Sequence, residues 1–144
     1  MDIKIEKVTK ETLSFVKSAL KKGFEIHPQY ISRLPVDETY IVRDGDILMG
    51  VTVHPEVEKG KPVSTGWTSV HPDYRQQGIY TALMDFKIAF LKASGASEII
   101  TKVPYSHIMK HLIEKHGFVV TGVCELSPKW GYNLKETNIL KLTL

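Results

Sequence analysis

Residues 63 to 92 run from an apolar stretch, V-S-T-G-W-T-S-V, through a polar turn, H-P-D-Y-R-Q-Q-G, into I-Y-T-A-L-M-D-F-K-I-A-F-L-K. A strand that turns directly into a helix is the unit from which layered α/β folds are built. Ile79, Leu83, Phe86 and Phe90 recur at spacings of four, three and four, the period of one buried helix face. The helix is expected from Gly78 to about Ser94, with Gly95 ending it. The turn itself has two readings. Pro72 and Asp73 suit a plain solvated turn. The same turn also suits an anion cradle. The first amides of a helix lack intrahelical partners and carry the positive end of its dipole. Gly78 lets the backbone approach a ligand closely, Arg75 adds a fixed cation, and Gln76 and Gln77 extend the row of donors.

The rest of the chain supplies partners for that unit. Ile3, Ile5 and Val8 suggest a first strand, and a helix follows from Thr9 or Glu11 to Lys22 with Leu13, Val16 and Leu20 on one face. A loop and a short helix near Pro28 to Arg33 come next. Thr39 to Arg43 and Ile47 to His54 form a hairpin across D-G-D, and Val63 to Val70 is read as one strand. Beyond the long helix come a strand at Glu98 to Val103 and a helix from Tyr105 or Ser106 to His116, with Ile108, Leu112 and Ile113 inward. Strands at Phe118 to Glu125 and Asn138 to Leu144 complete the order. A chain of 144 residues suits a single domain, 1–144, with enough buried surface to need no metal or disulfide staple. A lone cysteine, Cys124, forbids an internal disulfide and fits a reducing, cytoplasmic setting. No window is apolar enough for a membrane span, and a net charge of +3 does not call for a nucleic-acid partner.

The segment V-H-P-D-Y-R-Q-Q-G-I-Y-T-A-L-M resembles the acyl-coenzyme A binding motif of the GCN5-related N-acetyltransferases. E-K-H-G-F at 114 to 118 is similar to that family's second motif, and the element order also matches. The resemblance implies a mixed, mostly antiparallel α/β sheet of about six to seven strands, with helices on both faces and a splay between central parallel strands. It implies acetyl-CoA as co-substrate without a metal. The pyrophosphate would lie on the amides of Gln76, Gln77, Gly78, Tyr80 and Thr81 beside Arg75, and the pantetheine arm along Thr68, Ser69 and Val70. Acetyl transfer to a primary amine by direct attack follows, with a small molecule or a peptide as acceptor and a homodimer left open. A coenzyme A-binding sensor or interaction module of the same fold is the alternative, as is an unrelated α/β domain whose turn imitates the motif.

The sequence departs from the family where protons would move. Leu112 stands where a Tyr often serves as acid, and Gly66 and Trp67 stand where a Glu often serves as base. Tyr105 and Ser106 rank first as substitutes, ahead of His107, His54 and Tyr80; helix capping or packing is the plain alternative for each. His107, His111 and Glu114 share one helix side, which fits a solvated face better than a metal site. Gly60–Lys61 is followed by Pro62 and makes no P-loop. Lys87, Lys92 and Lys110 are read as solvated helix faces, and the five phenylalanines as core. Glu25, His27, Tyr30, Arg33, Lys129 and Trp130 fall where the resemblance puts an acceptor site, with Tyr132 near them.

Overall fold

The computed structural model describes residues 3–103, 106–124 and 137–144. Contacts divide the chain into two compact units, Met1–Pro55 with Gly66–Lys87, and Glu56–Thr65 with Ile88–Leu144. Eight strands and four α-helices are found among the described residues.

The first unit holds β1 (Glu6–Lys7), α1 (Lys10–Leu20), α2 (Pro28–Ser32), β2 (Thr39–Asp44), β3 (Ile47–Val53), and, after β4 (Pro62–Val63) of the other unit, β5 (Trp67–Val70) and the opening of α3 (Ile79–Ala93). Its sheet runs β1-β2-β3-β5, antiparallel throughout. Thr9 starts α1 with a reciprocal capping box to Thr12, which satisfies amides the helix cannot. Successive strand residues face opposite sides, and both sides are covered. Ile41, Val51 and Val53 pack with Val16 and Leu20 of α1 and Ile31 of α2. Val42, Met49 and Val70 pack with Ile79 and Leu83 of α3. Each fully buried aliphatic side chain contributes about 1.5–3 kcal/mol.

One expected strand is broken. Val63 to Val70 divides into β4 and β5 around Gly66, whose φ is +65°. A Cβ there would lie 2.1 Å from the carbonyl oxygen of Val53, so only glycine fits. We expect Gly66→Ala to destabilise the protein by at least ~2 kcal/mol, read as a lower urea midpoint, because backbone itself must move.

The second unit holds β4, β6 (Glu98–Val103), α4 (His107–His116), β7 (Val119–Cys124) and β8 (Thr137–Thr143). Its sheet runs β4-β6-β8-β7, with β4 parallel to β6 and the last strand inserted between β6 and β7. Ser106 caps α4 by accepting the Met109 amide, and Gly117 closes it. Helix α4 is turned from its expected orientation. Met109 and Leu112 are buried, while Ile108, expected inward, is 48% exposed. The buried stripe starts one residue later than the apolar pattern suggested.

Candidate functional site

The junction between β5 and α3 lies wholly in the first unit. Val70, at the end of β5, is buried, and His71 leaves the strand with its Nδ1 accepting the Asp73 amide. That bond sets the single 3-10 turn Pro72–Tyr74. The Phe24 ring meets His71 edge-on, at 5.2 Å between centroids, and holds the imidazole there.

Arg75 makes two contacts through its guanidinium. Its Nε donates to the Val70 carbonyl at 3.3 Å, and Nη2 lies 3.6 Å from Glu25 Oε2. Half of the side chain remains exposed, so a cation faces solvent at the turn. Two left-handed residues follow, Gln76 at φ 64° and Gly78 at φ 83°. A left-handed glutamine is uncommon. The Gly78 carbonyl then accepts the Ala82 amide and begins α3. A Cβ at Gly78 would meet only Ile3 Cδ1, at 3.8 Å, so the space above this glycine is open. Open space, reversed backbone dihedrals, a helix start and a half-exposed guanidinium are the features from which anion sites at helix starts are made.

The second feature was missed in the sequence. Lys87, read there as solvated, is 0% exposed. Its Nζ lies 3.0 Å from Thr68 Oγ1 and 3.3 Å from the Trp67 carbonyl oxygen, both on β5. Thr68 Oγ1 is 2.7 Å from Thr52 Oγ1 on β3, and Thr52 Oγ1 donates in turn to the Trp67 carbonyl. Burial pushes the Lys87 amine down to about 7. A signal for this existed: Ile79, Leu83, Lys87 and Leu91 recur every fourth residue, and all four are buried. A cation on the apolar stripe of a helix is either paired or functional.

His54 follows β3 and is buried between aromatic rings, stacked on Tyr40 at 4.7 Å and tilted against Phe86 at 5.6 Å. Burial, and secondarily the Lys87 charge, push its imidazole down to about 4. Burial pushes the Tyr80 hydroxyl up to about 12. Tyr30 of α2 reaches Trp67 at 5.9 Å, and His27 lies edge-on to Tyr30. Of the other sequence candidates, Ser106 serves as the cap of α4, His107 is exposed, and Ser69 and Thr81 are half-buried. Tyr105, Lys129, Trp130 and Tyr132 lie outside the described residues. His111 and His116 approach each other at 3.1 Å between Nε2 atoms, yet no group of three potential metal ligands occurs among the described residues. No helix there is long and apolar enough to cross a membrane.

Residues 35–120 match the family described as the acetyltransferase (GNAT) domain. The fold is shared with solved structures. The ribosomal-protein-S18-alanine N-acetyltransferase of Escherichia coli superposes with a TM-score of 0.72 at 16% identity, over 99% of this chain and 94% of that one. Naa50 of Arabidopsis thaliana, solved with the bisubstrate analogue CoA-Ac-MVNAL, gives 0.72 at 16% identity over the full length of both chains. An acetyltransferase of Bacillus subtilis, solved with CoA, gives 0.73 at 20% identity over 99% of each chain. No curated protein matches the sequence.

Proposed function

From the premise that the chain belongs to the GNAT acetyltransferase family, we propose that its 144 residues serve as one domain that moves an acetyl group from acetyl-CoA to a primary amine. The transfer is direct, with no acyl group held on the protein. The observation that carries this reading is the turn Arg75–Gly78, where two left-handed residues and a half-exposed guanidinium open a helix start to solvent.

The residues present fit coenzyme A. Amides of Gln76, Gln77, Gly78 and the first turn of α3, including Tyr80 and Thr81, would hold the pyrophosphate, with Arg75 beside it. The sheet of the first unit ends at β5, so Thr68, Ser69 and Val70 offer main-chain groups to the amide-rich pantetheine arm as an added strand would. When bound, the coenzyme supplies the activated thioester. The protein's part is to place amine and thioester together, which alone removes several kcal/mol of barrier.

The rings of Tyr30 and Trp67, with His27, form an aromatic wall at the start of β5, where an acceptor would approach. Its apolar character suits an amine carried on a peptide or a small molecule. Release of free thiol from acetyl-CoA, screened over peptide and small primary amines, tests the reading. Binding of coenzyme A without turnover of any amine would favour a coenzyme-sensing module instead, the reading supported by Leu112 and Gly66–Trp67 at the usual acid and base positions. Arg75→Ala is expected to raise the Kd for coenzyme A about tenfold, the loss of roughly one charge-assisted contact, as measured by calorimetric titration.

A further inference from the structure

Lys87 is a buried cationic side chain that the binding reading leaves without a use. Burial of an amine costs stability, so its placement on the apolar stripe of α3 calls for a reason. Geometry supplies one. Nζ reaches the Thr68 hydroxyl at 3.0 Å, and Thr68, unlike Lys87 and Thr52, is only half-buried. The hydroxyl therefore connects a sealed nitrogen to the strand along which the thioester arm would lie. The same strand begins at Trp67, next to the place where the family often carries its proton-accepting carboxylate. Here that carboxylate is absent, and a nitrogen from the helix behind reaches the same stretch of backbone.

We propose that Lys87, acting through the Thr68 hydroxyl, is the proton acceptor for acetyl transfer, a deepening of the function proposed above that rests on that reading. The acceptor nitrogen forms the new bond to the acetyl carbon, the carbon–sulfur bond breaks, and its electron pair leaves on sulfur. When Thr52 turns its hydroxyl to donate to Thr68, the Thr68 proton is free, and the proton lost by the nitrogen passes to the Thr68 oxygen as the Thr68 proton passes to Nζ. The ammonium so formed returns its proton to the thiolate by the same hydroxyl, which restores the neutral amine. Thr68 can act in both directions because a hydroxyl donates one proton and accepts others. An amine that titrates near neutrality is suited to this task. His54, which follows β3, is a titratable side chain that feels the Lys87 charge, with Tyr40 of β2 stacked on it, and an imidazole lowered to about 4 is a far weaker acceptor at neutral pH. Thr68, which Nζ touches, and Thr52, which Thr68 touches, carry no charge.

The test compares wild type with Lys87→Met, Thr68→Val and Thr68→Ser, using acetyl-CoA with a free-N-terminal tripeptide and with putrescine. Lys87→Met and Thr68→Val are expected to lower kcat about 100-fold or more, while Thr68→Ser stays within about threefold of wild type. The Kd for coenzyme A should change less than about threefold in all three, since no substituted side chain is asked to grip the coenzyme. With putrescine, whose amines stay protonated well above neutrality, wild-type kcat/KM should rise with slope two in its logarithm below about pH 7, where both acceptor and Lys87 must lose protons, and with slope one above it. The Lys87→Met variant should keep slope one throughout. A Lys87→Met enzyme within threefold of wild-type kcat, or one that keeps the break, overturns the proposal. Should that variant not fold, the Thr68 pair decides: equal activity of Val and Ser overturns it. Wild type that binds coenzyme A and turns over either amine secures the underlying reading whatever the variants do. Wild type that does neither removes that reading and the proposal with it.

Discussion

Gly78→Glu is expected to raise the Kd for coenzyme A at least 100-fold while leaving the protein folded. Two effects act together. The new side chain fills the open space above the turn, since an added Cβ there meets nothing of the protein closer than Ile3 Cδ1 at 3.8 Å. Its carboxylate then stands where two phosphates must come, and like charges at close range in a partly dry site cost several kcal/mol. A hundredfold loss corresponds to about 2.7 kcal/mol, so this demand is modest. Stability should fall by only about 1–2 kcal/mol, the strain of a non-glycine residue at φ 83°. Gly78→Ala separates the contributions: it keeps the strain, adds one methyl and no charge, and should weaken binding about tenfold or less. Calorimetric titration with coenzyme A reads both, with circular dichroism as the control for folding. Unchanged affinity in the Glu variant would show that nothing anionic binds at this turn.

Lys87→Met should make the protein more stable at neutral and acidic pH, with a gain that fades in alkali. The sign follows from linkage. Burial holds the folded-state pKa of Lys87 at about 7, below its ordinary 10.5. Between those values the unfolded chain binds more protons, so wild-type stability rises with pH across the window. Below about pH 7 the penalty for the buried charge is fully present, on the order of 5 kcal/mol before relaxation. Methionine of similar length removes that penalty. It also forfeits the contact to the Trp67 carbonyl, about 1 kcal/mol, although Thr52 still donates there. Urea midpoints at pH 6, 8 and 10 should therefore show a large gain, a smaller gain and almost none. His54 acts in the same sense lower down: burial and the Lys87 charge lower its pKa to about 4, so native stability drops as pH falls from 6.5 through 4 in wild type, and by less in the variant, which lacks that charge. A Met variant that is less stable at pH 6 would mean that the Lys87 ammonium is well compensated in the folded protein. Stability gained together with activity lost is the pattern of a residue kept for function.

Much of the frame could be read from local chemistry. Thr9 and Ser106 cap helices where a hydroxyl precedes a helical run, and the D-G pair turns the hairpin between β2 and β3. The strand-to-helix junction was legible because its signal is local: an apolar run, a glycine and a period near four. Three things were not. The break at Gly66 depends on the Val53 carbonyl, a neighbour thirteen positions away, which no local pattern exposes. The insertion of β8 between β6 and β7 is a matter of long-range pairing. The burial of Lys87 was obscured by charge: the spacing from Ile79 through Leu83 to Leu91 included it, but Phe86 and Phe90 offered a competing apolar face and are only half-buried. Where residue type and period disagree, as at position 87, the disagreement itself marks the residue for attention.

The most direct measurement is a titration of the unaltered protein with coenzyme A, followed by amide chemical shifts of Gln76, Gln77 and Gly78. Saturable binding at micromolar to sub-millimolar ligand, with those three amides moving together, is the expected result. No heat and no shift at millimolar coenzyme A would contradict a phosphate-holding turn at the start of α3, and the acetyl-transfer activity built upon it.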